Sequence, residues 1–577
     1  MRPAAKRDAA PALPRWRSNF VLLSIAACFI VLAGRALWLQ ALNNDFLQRK
    51  GESRYSRVIE IGASRGMIVD RNNEPLAIST PVESVAASPA DIEAGPAELR
   101  RLSQMLGVGI EDLRGKLADS KREFVYLKRQ LPPDQAERVV QLGIPGVFLQ
   151  REHRRYYPAG EVMAHIVGFT GVDDKGQEAL ELAFEDRLAG KPGSRRVIRD
   201  RLGRIVEDVE SIRVPQNGER MTLAIDARIQ YLAFRELRDA VAAHRAKAGG
   251  IVVLDAQSGE VLAMANLPTY NPNNRGKLDA QRTRNRVVTD LFEPGSTLKP
   301  FTAAAALEAG LFQFGTVIQT APGSMTIGSR TIHDAHPQGA LTVAQVIQKS
   351  SNVGTAKMGL AMPPETLWDL FSRAGFGTQP RSGFPGEVSG RLRAHATWKP
   401  IEQATMSYGY GVSVSLLQLA RAYTIFSSDG RLLPVSMLKR NGPPEGAQVI
   451  STSTAQAVRR MLEMAAQPGG TAPGAQVAGY TVAGKTGTAH KLEGKAYATN
   501  RYVSSFVGFA PANKPRIIIA VMIDEPSAGQ HYGGAVAAPI FSQVAAGALR
   551  LLAVPPDAPG RTTVLAPADM PLVKEDV

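Results

Sequence analysis

The sequence predicts an α+β protein held to a membrane by one helix. Three observations lead there. Residues 18–34 carry no charge and are apolar enough to begin a bilayer span. The second half of the chain reads strands, then helices, then strands, so an antiparallel sheet can collect the outer strands with the helices packed on it. The chain has 577 residues and 44% hydrophobic content, enough for two or three domains with sizeable cores.

The elements follow in order. Residues 1–17 are polar, with Arg2, Lys6, Arg7, Arg15 and Arg17 against Asp8, and read as a cytoplasmic tail. The asymmetry is modest, because Arg49, Lys50 and Arg54 lie beyond the span. The span is taken as 18–40, with Arg35 snorkelling and Trp16 and Trp38 at the two interfaces. The run is long for a signal peptide, and no clean small-x-small cleavage site follows it. The only cysteine, Cys28, lies inside it, so no intramolecular disulfide and no cysteine metal site is expected.

Residues 41–220 mix short strands and helices. Val58 to Ile61 alternates like a strand, Arg65 to Asn72 reads as a strand ending in a polar turn, and residues 97–129 have a helical period. No catalytic constellation stands out, and the region reads as an extracytoplasmic spacer or docking domain. From Met221 the texture changes. Residues 226–242 read as an amphipathic helix. Residues 250–255 and 261–265 flank Ala256-Gln257-Ser258-Gly259-Glu260 as strand, turn, strand. Helical segments run from about 301 to 462, and strands return at 480–483, 502–509 and 516–523. Residues 555–577 are rich in Pro, Ala and Asp and read as a disordered tail.

Net charge is +15, but the basic residues form no dense tract and no interleaved aromatic stripe. That weighs against nucleic acid and favours an anionic lipid or polymer. Of eight histidines only His333 and His336 cluster, without a third ligand nearby, so neither a metal nor a cofactor is expected.

The chemistry concentrates in three stretches. In Phe292-Glu293-Pro294-Gly295-Ser296-Thr297-Leu298-Lys299, the Pro-Gly turn precedes the helical run from Phe301, which puts Ser296 at a helix N-terminus. Lys299, three residues on, shares its face. A hydroxyl becomes a nucleophile when a nearby base takes its proton, and a desolvated neutral lysine can be that base. The plainer reading is that Ser296 caps a helix and Lys299 is solvated. Downstream lie Ser350-Ser351-Asn352 and Lys485-Thr486-Gly487-Thr488, which alone read as a cap or loop and as a strand entering a turn. Ser-x-x-Lys, Ser-x-Asn and Lys-Thr-Gly in this order form the set used by serine acyl-transfer enzymes that act on penicillin.

On these motifs the chain resembles the class B penicillin-binding proteins, and within them the septal D,D-transpeptidases. Ser64-Arg65-Gly66-Met67-Ile68-Val69-Asp70-Arg71 is similar to the membrane-proximal signature of that family. Ser407-Tyr408-Gly409-Tyr410-Gly411, Tyr532-Gly533-Gly534 and Ala537-Ala538-Pro539 match as well. The resemblance implies an elongated α/β pedestal of dimerisation type over 41–220. It also implies a penicillin-binding transpeptidase domain over 221–554, an antiparallel five-stranded sheet flanked by helices.

It further implies that Ser296 attacks the penultimate D-Ala carbonyl of a stem pentapeptide and that Lys299, neutral at that moment, is its base. Ser350 would relay a proton to the leaving amine, and Asn352 would hold the donor amide and the Lys299 amine. Lys485, Thr486 and Thr488 would take the terminal carboxylate, and Gly487 would leave room along the strand. The N–H groups of Ser296 and Thr488 would form the oxyanion hole; Ser351 has no assigned role. The implied partners are peptidoglycan stem peptides, β-lactams, the membrane, the septal glycan polymerase FtsW and other division proteins. FtsW would meet the small residues Ser24, Ala26, Ala27 and Gly34, with Arg65, Asp70 and Arg71 coupling the pedestal to it. The implied place is the inner membrane at the septum, with the N-terminus cytoplasmic and the catalytic domain periplasmic. The alternatives are an elongation-type transpeptidase, a β-lactamase or β-lactam sensor, and a non-catalytic division scaffold. No convincing Glu-x-x-Leu-Asn stretch supports the hydrolase, and the intact Ser296, Lys299 and Lys485 speak against the scaffold.

Overall fold

The structure, a computed structural model, describes residues 15–39, 56–122, 124–199, 205–276, 278–494 and 496–560. The tail residues 1–14, the flanking Arg49, Lys50 and Arg54, and residues 561–577 of the expected C-terminal tail lie outside the described residues. The apolar run forms one helix, Arg15–Leu37, with no buried residue. Its 23 residues cover about 34 Å at 1.5 Å each, enough to cross the hydrocarbon core. Arg35 lies 4.4 Å from the centroid of the Trp38 ring. A second apolar stretch, Gly533–Leu551, is 56% buried and belongs to a protein core.

The described chain forms two compact units. The first gathers Pro81–Glu152 and Lys191–Gln216 with residues up to Ala63. In it, Gly193–Arg199 runs antiparallel between Ser56–Ile61 and Ile205–Arg213. Helices Pro96–Leu106, Ile110–Leu117 and Pro133–Val140 bury Leu102, Leu106, Leu113, Ala136 and Val139 against Val125 and Leu127.

The second unit gathers Ser64–Thr80, His153–Gly190 and everything from Asn217, so the compact units do not follow a single sequential boundary at 220. Two interactions explain the weave. Ile68 and Val69 pair in parallel with Met221 and Thr222. Arg65 donates to Glu181 at 2.6 Å, and the same carboxylate takes Arg155 at 2.7 Å, all three side chains being buried. Asp70 is buried too and accepts the N–H groups of Asn72, Glu74 and Ala227 at 2.7, 2.9 and 3.0 Å. Arg65 and Asp70 are therefore buried and hold their own strand in place.

Within this unit, α1 (Ala227–Ala243) starts where Asp226 accepts the N–H of Arg228 at 3.0 Å. It is followed by β1 (Ala248–Asp255) and β2 (Val261–Leu267), then by the helical region containing α2 (Lys299–Glu308), α3 (Val343–Lys349), α4 (Asn352–Ala361) and α5 (Thr452–Ala466). Last come β3 (Ala483–Glu493), β4 (Ala496–Ala510), β5 (Ile517–Asp524) and α6 (Ala538–Leu551). The strands form one antiparallel five-stranded sheet in the order β2-β1-β5-β4-β3. Both faces are covered, which is why β1 and β5 read as continuous apolar runs. Ile251, Val253, Ile519 and Val521 pack with Phe234 of α1 and Phe541 of α6. Val252, Leu254, Ile518 and Ala520 face the helical lobe built around Phe301. β3 is the edge strand of the sheet. Residues 555–560, expected to be disordered, are held: Asp557 accepts from Thr481 N at 2.8 Å, and Ala558 N donates to Gly479 O at 3.0 Å.

Candidate active site

The serine sits where a turn becomes a helix. Gly295–Leu298 is a 3-10 turn that runs into α2 at Lys299. Gly295 has φ +54, and a Cβ there would lie 3.3 Å from Thr488 O. The turn is clamped from both sides. Tyr423 OH donates to Thr297 O at 2.8 Å, and Thr302 Oγ1 donates to Ser407 O at 2.6 Å. Behind it, Phe301 meets Phe376, Tyr423 and Phe426 with ring centroids 5.1, 5.6 and 4.8 Å away. Ser296 is buried at 3% exposure and Lys299 at 0%.

Lys299 and Ser350 are in direct contact. The lysine Nζ donates to the Ser350 carbonyl and reaches Ser350 Oγ at 3.1 Å. The local fold explains why. α3 ends with Ser350 in the left-handed region at φ 62, and α4 starts two residues later. This sharp reversal turns both oxygens of Ser350 toward the lysine. Ser351 is the cap of α4: its Oγ accepts the N–H of Gly354 at 2.9 Å and donates to Asp334 Oδ2 at 2.7 Å. Asp334 Oδ1 accepts the N–H of Val353 at 2.8 Å, and Asn352 Nδ2 donates to His333 O at 3.1 Å. The stretch considered above as a weak metal pair is thus the bed on which the second motif rests.

The third motif lies on β3. Lys485 and Thr486 are buried; Lys485 Nζ reaches Thr486 O at 3.3 Å and its Oγ1 at 3.2 Å. Thr486 Oγ1 donates to Thr471 Oγ1 at 3.0 Å, and Thr488 Oγ1 accepts the N–H of Gly533 at 3.0 Å. A Cβ at Gly487 would lie 2.8 Å from Pro294 O and 2.9 Å from Thr297 Cγ2. The serine turn therefore packs directly on the Lys-Thr-Gly strand. Every residue expected to act is buried in one neighbourhood, with Lys299 touching Ser350 and the turn of Ser296 touching Gly487.

Other residues pack around the serine turn, among them Glu293 and Tyr410 from stretches already singled out, and Tyr497, which had no sequence signal of its own. Glu293 Oε1 accepts the N–H of Gly411 at 2.7 Å and the hydroxyl of Tyr497 at 3.2 Å. Burial raises its carboxyl above the usual range, partly offset by these two bonds. Tyr410 is ring-edge to Tyr497 at 5.5 Å, and burial pushes its phenol up to about 12. Gly409 must be glycine, because a Cβ would lie 2.0 Å from Gly295 O. A buried amine three residues from a buried serine at the start of a helix, with hydroxyls and a second buried lysine on the strand that the serine turn packs against, is equipped for acyl transfer to and from the serine.

Comparison with known proteins agrees with this geometry. A family model described as the penicillin binding protein transpeptidase domain matches residues 249–546, and one described as the penicillin-binding protein dimerisation domain matches residues 60–223. The chain is 45% identical over 563 residues to the probable peptidoglycan D,D-transpeptidase PenA of Neisseria gonorrhoeae, covering 97% of each. It is 42% identical over 549 residues to the peptidoglycan D,D-transpeptidase FtsI of Escherichia coli K12, covering 94% of this chain and 93% of that one. Among solved structures it is similar to the apo transpeptidase domain of Burkholderia pseudomallei penicillin-binding protein 3, with 47% identity and a TM-score of 0.54 over 58% of this chain and 97% of that one. With the serine turn, the lysine pair and the edge strand in these positions, and with likeness along almost its whole length, the chain belongs to the penicillin-binding protein transpeptidase family.

Proposed function

We propose that this protein cross-links peptidoglycan stem peptides at the division septum as a D,D-transpeptidase, and that Ser296 carries the acyl group. The observation that supports the reading most is the contact of the buried Lys299 amine with Ser350 beside the serine turn. Ser296 Oγ attacks the penultimate D-Ala carbonyl while Lys299 Nζ takes its proton. The developing oxyanion is received by the N–H groups of Ser296 and Thr488. The proton passes through Ser350 Oγ to the leaving nitrogen, and D-Ala departs as the ester forms. An amine from a neighbouring strand then attacks the ester, gives up its proton along the same path, and Ser296 is restored. Lys485, Thr486 and Thr488 take the terminal carboxylate, a cation and hydroxyls being suited to it; Asn352 holds the donor amide. A β-lactam presents a carboxylate and a strained carbonyl to the same groups and remains on the serine.

The test uses the full chain with a pentapeptide donor and an amine acceptor. Native protein releases D-Ala and forms the cross-linked dimer, and Ser296→Ala does neither. Free D-Ala with no dimer under any acceptor would contradict transpeptidation.

The domain reading that accompanies this places the cytoplasmic tail at 1–17, the anchor at 18–40, the pedestal at 41–220 and the transpeptidase domain at 221–554. The N-terminus is cytoplasmic and the catalytic domain periplasmic, a direction supported by the basic residues before the span. The partner is the septal glycan polymerase FtsW, reached through the small residues of the anchor helix. Replacing residues 1–40 with an unrelated single span should abolish co-purification with the polymerase; retention would reduce the anchor to a tether.

A further inference from the structure

Glu293 is a carboxylate whose burial stability alone does not account for. It stands three residues before Ser296. Its Oε1 accepts the N–H of Gly411 at 2.7 Å and the hydroxyl of Tyr497 at 3.2 Å. Its Oε2 is enclosed by protein and has no hydrogen-bond partner. Burial dominates its surroundings, and among the described residues no cation offsets it. A buried carboxylate with one oxygen unpaired and no cation beside it costs stability. Such a group needs another reason to be there.

Its position supplies one. The segments that meet at Glu293 are far apart in the chain. Phe292 N donates to Val414 O at 3.1 Å, Val414 N returns to Phe292 O at 2.9 Å, and Gly295 N donates to Gly409 O at 3.2 Å. The serine turn and residues 409–414 therefore form one frame. Tyr497 belongs to the ribbon of β3 and β4, where it stands opposite Leu492, four residues beyond Thr488. β3 is the edge strand, paired as a strand with β4. On its other side the serine turn approaches it closely, Gly487 lying against Pro294 and Thr297 and Gly295 against Thr488. Close packing limits how near the turn and the strand can come, not how far they can part. A hydrogen bond from the frame to the ribbon limits the parting, and Glu293 makes one. Tyr410 seats the Tyr497 ring, meeting it edge to face at 5.5 Å and meeting Tyr408 at 5.9 Å.

We propose that Glu293 is a positioning residue for acylation. By holding the Gly411 N–H and the Tyr497 hydroxyl on one oxygen, it fixes the serine turn against β3, so that the N–H groups of Ser296 and Thr488 face one point. The inference rests on the transpeptidase reading above, which gives those two N–H groups to the oxyanion. Donors aimed at a developing charge lose their effect when they are displaced, so the bond acts on the rate of acylation rather than on binding.

The test measures acylation of the full-length chain in detergent by a fluorescent penicillin over a range of concentrations, which separates the binding constant from the limiting rate. Tyr497→Phe removes one hydroxyl from a side chain that is 45% exposed and leaves the ring packing in place. It should lower the limiting rate roughly tenfold, about what one hydrogen bond to a carboxyl group supplies, with the binding constant within about twofold of native. Glu293→Gln keeps an acceptor oxygen and should lose only about threefold, with a melting temperature no lower than the native one. Glu293→Ala should lose at least as much as Tyr497→Phe, and adding Tyr497→Phe to it should cost nothing further, because the bond is already gone. A folded Tyr497→Phe at the native limiting rate, a loss carried by the binding constant alone, or losses that multiply in the double variant would overturn the proposal. So would a Glu293→Gln chain whose loss of rate comes with a lower melting temperature, which would make the role merely structural. A native chain that takes no penicillin would instead remove the transpeptidase reading itself.

Discussion

Replacing Asp334 tests whether the reversal between α3 and α4 is what delivers Ser350 to Lys299. Asp334 touches no residue of the proposed chemistry except through Ser351 and Val353. It is 8% exposed and accepts two hydrogen bonds, from Ser351 Oγ at 2.7 Å and from Val353 N at 2.8 Å. Hydrogen bonds to a charged group contribute roughly 1.5–3 kcal/mol each, so Asp334→Ala removes about 3–6 kcal/mol of local order and strands a buried N–H. If about 3 kcal/mol of that must be restored to form the reactive arrangement, acylation slows about a hundredfold. Asp334→Asn keeps an acceptor for Val353 but turns an N–H toward Ser351, and should slow it about tenfold. The assay is the second-order rate of labelling by a fluorescent penicillin, with a melting curve to show that the variants are folded. A folded Asp334→Ala that labels within twofold of the native rate would refute the reasoning.

Three further outcomes follow from the same structure. Lys299→Arg should acylate as poorly as Lys299→Ala, because arginine keeps its proton at any working pH; labelling near the native rate would make Lys299 an electrostatic group only. Gly487→Ala should slow labelling severely while costing about 1–3 kcal/mol of stability, since its Cβ meets Pro294 O, Thr297 Cγ2 and Ser505 Oγ at 2.8, 2.9 and 2.5 Å. His165 is held neutral: burial lowers its pKa to about 4, against the opposing bond to Arg282 O at 2.7 Å. Its unfolded form takes a proton near 6.5, so the stability it supports is full above that pH and falls by up to about 3 kcal/mol on acidification toward pH 4. Asp174, whose carboxyl burial raises to about 6, acts in the opposite sense. The measurement is therefore the difference in urea midpoint between the native chain and His165→Asn, which should shrink as pH falls from 6.5 to 4.

The candidate catalytic groups could be picked out from the sequence because such chemistry draws on short local patterns. Ser296 and Lys299 share a helix face, and Lys485 to Thr488 are consecutive on a strand. The strand-turn-strand around Ser258 was legible for the same reason. What the sequence hid is held by pairs far apart in the chain. Asp334 and Ser351 are 17 residues apart and Glu293 and Tyr497 are 204 apart, and neither pair has a local signature. β1 and β5 lost their alternation through burial on both faces. Nothing local marks Arg65 and Asp70 as buried, because charge usually means exposure. Glu181, more than a hundred residues later, buries Arg65 by pairing it.

The central claim is that Ser296 is the residue that becomes acylated. Proteolysis and mass spectrometry of the full chain after treatment with penicillin measure it directly. The account predicts a single drug adduct on the peptide containing Ser296, and none in a folded Ser296→Ala chain. An adduct on any other residue, or one that survives in Ser296→Ala, would contradict it.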